Sequence, residues 1–290
     1  MIVNKIVDLI RETSSSLPED VLTALKAAQR REAKGSSAAV VLKTIFDNCA
    51  IAAKRGTPLC QDTGTLTFFV DERLRRKVTP TVLKKAVARA TERGYLRRNT
   101  IDSVTGKSYD DNVTDGAPVV HYVAAREASR SSGFSHARPT VTLVMKGGGS
   151  ENMSRQYSLP DATLGAGRDL TGVRTCVLDA VQKIQGYGCA PGILGVCIGG
   201  DRATGYEVAK EQLLRPLDEK EIVESSNRRI VEFERRLLRE ANTLGIGPMG
   251  LGGKTTLLGV KVASRPRVPA SFFVTVAYMC WACRRRTMEF

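Results

Sequence analysis

The chain has 290 residues, 42% of them hydrophobic, and a formal net charge of +14. That length and apolar content supply a sizeable core, which excludes disordered and fibrous classes. An odd count of seven cysteines argues against a disulfide framework, and only two histidines, His121 and His136, argue against a His-rich metal site.

The N-terminal stretch MIVNKIVDLIRETS interrupts its apolar residues with Lys5, Asp8 and Arg11 at helical spacing, unlike a signal peptide. No apolar run reaches the length that crosses a bilayer, so the chain is expected to be cytoplasmic and free of the membrane. Residues 1–55 are predicted helical. Ile2, Ile6, Leu9 and Ile10 mark one stripe, and Ser16 to Glu19 read as a capping box with Pro18 in the first turn of a second helix through Ala28. LCQDTGT then leads through a glycine turn into a buried strand, TLTFFV, at 65–70.

A helix over about 79–94 ends near Gly94. The Gly/Asn/Asp-rich stretch from Asn99 to Gly116 is loop before the apolar run PVVHYVAA. TVTLVM at 140–145 is a strand that runs into KGGGSEN. Beyond Gly167, Val173, Val177, Ala180 and Ile184 fall on one helical face, followed by the strand ILGVCI framed by glycines. A helix over about 219–241 buries Val223, Ile230, Phe233 and Leu237, and two strands follow, LLGVKV and FFVTVAYM. Interspersed helices and strands without a repeat predict a mixed α/β (α+β) class. Residues 1–290 are expected to form one composite domain with 1–35 as its helical N-terminal extension.

Four glycine-rich segments stand at strand ends: GTPLCQDTGT, MKGGGSEN, GYGCAPGILGVCIGG and GIGPMGLGGKTT. Any one of them reads as a tight turn; four together point to a site, since glycine permits close backbone approach and converging N–H groups that suit an anion or a bulky cofactor. GLGGKTT is not a Walker loop, because Pro248 occupies the position of its first glycine. Lys254 then either faces an anionic ligand or closes a turn. Cys60 and Cys189 lie in Gly/Pro-flanked loops and Cys280 at the end of FFVTVAYM, whereas Cys49, Cys176 and Cys197 sit among core residues. Cys283 forms a C-x-x-C pair with Cys280 but lacks a thioredoxin-like context. Spacing alone leaves a three-cysteine metal site weakly specified.

The positive charge admits nucleic acid as a partner. Its arginines, such as Arg228, Arg229, Arg235, Arg236 and Arg239, are scattered through helical stretches rather than interleaved with aromatics, which are 6% of the chain. A surface that meets an acidic subunit or anionic substrates is the competing reading.

Taken in order, CQDTGT at 60–65, KGGGSEN at 146–152, GxxCAPxxxGVxIGG through Gly200, GIGPMGLGGKTT and PASFFVTVAYMCWA closely resemble the α subunit of class I iron–sulfur fumarate hydratases and L-tartrate dehydratases, equivalent to the N-terminal portion of the single-chain enzymes. The likeness spans about residues 40–286. It implies a 4Fe-4S cluster held by three cysteines, which map onto Cys60, Cys189 and Cys280, with one iron open to substrate as a Lewis acid. It implies a dicarboxylate substrate, fumarate/malate or tartrate, near Gln61, Asp62, Gly147 and Gly148. Arg97, after the first long helix, would contact a carboxylate in bidentate fashion, and Arg98 is a near competitor.

The sequence departs from that pattern at Val268, where many relatives carry His, at Cys197, which replaces a glycine, and at Cys283. Valine can neither donate a hydrogen bond nor carry a proton, so altered substrate preference, weak activity or a compensating group from a partner is expected. In two-subunit members a β subunit supplies further substrate-binding and acid/base residues, and the chain stops soon after CWACRRR. The expectation is therefore a hetero-oligomeric hydro-lyase whose α chain alone holds the cluster but turns over little substrate, without nucleic acid or membrane partners. The alternatives carried alongside are an L-tartrate dehydratase α subunit, an impaired relative serving in assembly, and a non-catalytic basic protein that binds RNA.

Overall fold

The computed structural model of the chain describes residues 2–124, 138–218 and 228–290. Its elements run α1 (Ile2–Ser15), α2 (Glu19–Arg31), α3 (Ser37–Arg55), β1 (Thr65–Asp71), α4 (Pro80–Glu92), β2 (Val119–Val123), β3 (Thr140–Lys146), α5 (Gly148–Asn152) and β4 (Arg155–Ser158). There follow α6 (Leu170–Ile184), β5 (Gly192–Gly199), α7 (Arg202–Gln212), α8 (Arg228–Thr243), β6 (Leu257–Arg265), β7 (Phe273–Met279) and β8 (Arg284–Glu289). Helices accompany two mixed sheets, the mixed α/β class expected from the sequence. None of the described helices is long and apolar enough to cross a membrane.

Tertiary contacts divide the chain into two compact units, each assembled from separated stretches. One consists of Met1–Glu19, Ile45–Gly148 and Ala282–Phe290, the other of Asp20–Thr44 and Gly149–Trp281.

In the first unit the strands are ordered β2-β1-β3-β8, with β1 parallel to β2 and antiparallel to β3. Alternation along β1 turns Leu66, Phe68 and Val70 to one face, where they join Leu143 and Met145 of β3. Ile6, Leu9 and Ile10 of α1 and Leu83 and Val87 of α4 close the same core. Thr79 caps α4 by accepting a hydrogen bond from the Val82 N–H at 3.3 Å, and Gly94 beyond its end adopts φ 72°. The capping box expected at Ser16 works differently. The Ser16 hydroxyl donates to the Glu12 carbonyl at 2.7 Å, finishing α1, and α2 begins only at Glu19.

Sequence reasoning missed β8. Its inward positions are Arg284, Arg286 and Met288, so the alternation that betrays a strand is written in arginines rather than aliphatic residues. Arg284 pairs opposite Met145 and is only 1% exposed, its long stem packed as a hydrophobe would be.

The second sheet is ordered β4-β7-β5-β6. Leu194, Val196 and Ile198 of β5 face α6 and α8, whose Val173, Val177, Phe233 and Leu237 share one buried cluster. On the other face α7 approaches so closely that a Cβ at Gly195 would run into the Ala209 carbonyl. Every residue of β5 is therefore buried, as befits a strand covered on both faces. Helix α7 was also missed; it starts at Asp201, whose carboxylate accepts the Ala203 and Thr204 N–H groups at 2.9 and 3.1 Å. Of the helix expected over 219–241, α8 carries the part from Arg228, and residues 219–227, with Val223, lie outside the described residues.

The Gly195 approach is to a backbone carbonyl that cannot rotate away. Gly195→Ala should therefore cost about 3 kcal/mol, the upper end of the overpacking range, read as a lower midpoint in urea unfolding. Gly149→Ala, where no atom lies within 4 Å of the added Cβ, should leave the midpoint unchanged.

Candidate functional site

The CQDTGT segment is held at both ends. Ahead of it, the Leu59 N–H donates to the Ser14 carbonyl at 2.8 Å and the Leu59 carbonyl accepts the Asn48 amide at 2.9 Å. Behind it, Gly64 at φ 76° lies against the KGGG turn, where a Cβ would stand 2.5 Å from the Lys146 carbonyl carbon and oxygen. Only glycine meets both demands. The consequence is local: the Asp62 carboxylate comes to rest over Gly147, its Oδ2 2.8 Å from where a Cβ would be, with Gly148 beside it.

Two arginines bear on this loop. Arg284 donates from Nη2 to the Asp62 carbonyl at 2.8 Å, while its Nε and Nη1, although buried, have no hydrogen-bond partner among the described residues. Arg97 is exposed and donates from Nη1 to Gln61 Oε1 at 3.5 Å, the outer limit of a hydrogen bond. Its carbonyl accepts the hydroxyl of the fully buried Thr63 at 3.4 Å. The competitor Arg98 is paired with Asp110 instead, at 3.3 Å. A cavity of about 290 Å³ opens beside Asp62, lined also by Gly64, Thr65, Asn99, Asn112 and Gly148. That is the lower edge of the volume of small-molecule sites, about 300–1,000 Å³, and suits a ligand of few atoms.

The loop from Asn99 to Gly116 that walls this cavity is ordered by its own side chains. Asp102 accepts the Val104 and Thr105 N–H groups at 3.1 and 2.7 Å, and hydrogen bonds from Thr105, first from its backbone and then its side chain, hold the Asp102 carboxyl below its usual range. Asn112 is buried and bonded to Arg97, Asn99 and Thr100, a hub that sequence reasoning missed.

In the second unit, Cys189 and Cys280 flank one tyrosine. Cys189 is exposed and adopts φ 53°, unusual for a side chain of its kind, between Gly188 and the Ala190–Pro191 peptide. Its carbonyl accepts the Trp281 N–H at 3.3 Å, and the Cys280 N–H donates to Ser150 Oγ at 3.2 Å. Cβ atoms at Gly188 or Gly192 would collide with the Tyr278 ring. Burial, and after it the nearby Cys280 and Cys189 thiols, pushes the Tyr278 hydroxyl well above its ordinary value. The Lys254 side chain is exposed, and its backbone N–H donates to both Glu32 carboxylate oxygens at 3.1 and 2.9 Å.

The remaining thiols differ in kind. Burial pushes Cys49 and Cys197 up to about 11 and Cys176 to about 12, and Cys283 is fully buried. Cys60 and Cys280 are half-buried. Among the described residues no group of three or more His, Cys, Asp or Glu side chains is drawn together to hold a metal ion. His121 is spent in a stack on Phe69, ring centres 5.1 Å apart, and Val268 is 64% exposed. His136 lies outside the described residues.

Residues 3–289 match the family model described as fumarate hydratase (Fumerase). The chain belongs to that family. It is 46% identical, over 96% of its length, to a Geobacillus stearothermophilus protein provisionally named fumarate hydratase class I, of which it spans 52%. It is 32% identical to a protein of Methanocaldococcus jannaschii provisionally named L(+)-tartrate dehydratase subunit alpha, covering 97% of this chain and 94% of the relative. The L(+)-tartrate dehydratase subunit alpha of Escherichia coli strain K12 is 29% identical, over 99% of this chain and 91% of its own. The chain thus spans about half the length of the Geobacillus relative and nearly all of the two α subunits. Both activities in those names are hydro-lyase reactions.

The exposures of the thiols set an order of reactivity. At pH 8 a thiol with a pKa near 12 is thiolate in about one molecule in ten thousand. Iodoacetamide on the folded chain without metal should modify Cys189 first and Cys60 and Cys280 next. Cys49, Cys176, Cys197 and Cys283 should react only after unfolding, as followed by peptide mass spectrometry.

Proposed function

We propose that the chain is the α subunit of an iron–sulfur hydro-lyase that reversibly hydrates fumarate to malate, acting in the cytoplasm in complex with a β subunit. The observation that carries this reading is the Asp62 carboxylate resting on the Gly147–Gly148 turn beside a small cavity, with Gln61 of the same loop in contact with Arg97. A cationic fork, a carboxylate and a bare backbone turn are the groups a hydroxylated dicarboxylate requires.

Arg97 binds one substrate carboxylate through two N–H donors, and it can leave Gln61 to do so because that contact is long. Gln61 follows with its carboxamide, donating to the same carboxylate or accepting from the hydroxyl. The glycine turn, which carries no side chain of its own, offers its N–H groups to the second carboxylate beside Asp62. Asp62 accepts a hydrogen bond at Oδ2 from the water that adds and takes its proton as the hydroxyl bonds to one carbon of the double bond; the other carbon takes a proton, and solvent removes one from Asp62 to close the balance. The group that delivers the carbon-bound proton is assigned to the β subunit.

The donor set fits a cluster in its chemistry: three thiols reach solvent from glycine-rich loops, and the four others are sealed in apolar surroundings. A 4Fe-4S cluster held by Cys60, Cys189 and Cys280 would supply a Lewis-acidic iron that weakens the C–O bond. Lys254, on its exposed glycine turn, is assigned to attract the dianion.

L-Tartrate dehydration is the second reading, favoured by the nearly full-length coverage of tartrate dehydratase α subunits. Tartrate carries one more hydroxyl, and a site built to bond it discriminates strongly.

The test is anaerobic co-production with the β subunit, followed by assays with fumarate, L-malate and L-tartrate. About four irons per chain and fumarate hydration are expected. Arg97→Met should raise KM by about tenfold to a hundredfold, the worth of one or two charge-assisted hydrogen bonds. Cys60→Ser should lose both iron and turnover. A colourless, iron-free protein with salt-sensitive RNA affinity would overturn the reading, and turnover of tartrate alone would move it to the second substrate.

A further inference from the structure

We propose that Asn112 is the positioning residue for Arg97, fixing where the substrate-binding guanidinium stands without touching substrate itself. The inference rests on the reading that Arg97 takes a substrate carboxylate. Asn112 is 3% exposed and holds φ 60°, a left-handed conformation that costs most side chains and that asparagine tolerates. Its whole hydrogen-bonding capacity is used. Oδ1 accepts the Asn99 and Thr100 N–H groups, each at 3.0 Å, and Nδ2 donates to the Arg97 carbonyl at 2.9 Å and to Thr91 Oγ1 at 3.0 Å. A carboxamide has two donor hydrogens and an acceptor oxygen with two lone pairs, so nothing remains for a ligand even though Asn112 lines the cavity.

What those bonds join explains the role. Thr91 is fixed in α4 by donating to the Val87 carbonyl at 2.9 Å, so Nδ2 ties a regular helix to the backbone of residue 97. Oδ1 fixes the two amides of residues 99 and 100. Three of the four residues from 97 to 100 thus hang on one side chain. The Arg97 carbonyl also receives Thr63 from the CQDTGT loop, so the clamp sets the register of Arg97 against Gln61. Arg97 itself is exposed, and its backbone carbonyl is anchored by Asn112 at 2.9 Å and by Thr63 at 3.4 Å, Asn112 making the shorter bond. Its reach toward a ligand is decided at its Cα, and that is where Asn112 acts.

Two substitutions separate this role from bulk stability. Asn112→Gly keeps the left-handed backbone and deletes all four bonds. Asn112→Asp keeps the acceptors for Asn99 and Thr100 but sets a carboxylate oxygen against the Arg97 carbonyl. In the complete αβ holoenzyme both should raise the KM of the dicarboxylate by about tenfold and change kcat little. Hydrogen exchange supplies a readout independent of turnover: the Asn99 and Thr100 amides should exchange faster in Asn112→Gly and stay protected in Asn112→Asp. The deciding arm is Arg97→Met. If Asn112 works through Arg97, adding Asn112→Gly to Arg97→Met raises KM no further. Multiplicative effects in the double variant, or an unchanged KM in both Asn112 variants, would overturn the inference while leaving Arg97 in place. An unchanged KM in Arg97→Met alone would remove the functional reading and the inference with it.

Discussion

Because Gly64 lies where any side chain would strike the Lys146 carbonyl, β1 and β3 stay paired through Thr65 and Lys146, the last residues before their loops diverge. The two glycine-rich loops therefore leave the sheet side by side. Asp62 sits two residues before Gly64 and Gly147 one after Lys146, so the carboxylate and the bare turn meet as a result of strand register. No contact of their own needs to bring them together. A one-residue slip would turn Leu66, Phe68 and Val70 away from α1 and α4, and the core enforces the register that the site uses.

The same end of the sheet collects positive charge. Arg284 is buried there with two donors that no described group accepts, next to the backbone of Asp62. A buried cation is costly unless something offsets it. A bound anion would be such an offset, and the cost in the free chain is of the kind proteins carry at functional positions. The stem of Arg284 recovers part of it by packing as an aliphatic residue.

Periodicity in the sequence identified α1, α4, β1, β3 and the central strands of the second sheet, because their buried residues are aliphatic and regularly spaced. It did not reveal β8, whose inward positions are arginines, or α7, whose buried residues are Gly205, Val208, Ala209 and Gln212. The two loops that meet at Asp62 and Gly147 were legible as glycine-rich segments at strand ends. Asn112 was not. In a loop of Asp, Asn and Gly it looks like one more turn residue, and its partners stand 12 to 21 positions away in sequence. What makes it a hub is burial, which no local pattern encodes.

The competing reading of the charge, as a nucleic-acid surface, depends on cations facing solvent with their donors free to meet phosphates. Helix α8 carries Arg228, Arg229, Arg235, Arg236 and Arg239. There Arg236 bonds Glu240 at 3.0 Å, and Arg174 reaches the same carboxylate at 2.6 Å. Burial alone would raise the Glu240 carboxyl, yet the two arginine hydrogen bonds outweigh it and hold the group below its usual range. Arg215 and Glu234 form a second pair at 2.9 Å, both almost buried. The arginines of this region are thus in part committed to carboxylates of the chain itself, and a phosphate backbone would have to displace them. At Arg97 the competing partner is a neutral amide at the limit of hydrogen-bond distance. A small dianion displaces that contact at little cost, so Arg97 is more open to an anion than the carboxylate-paired Arg236 of α8.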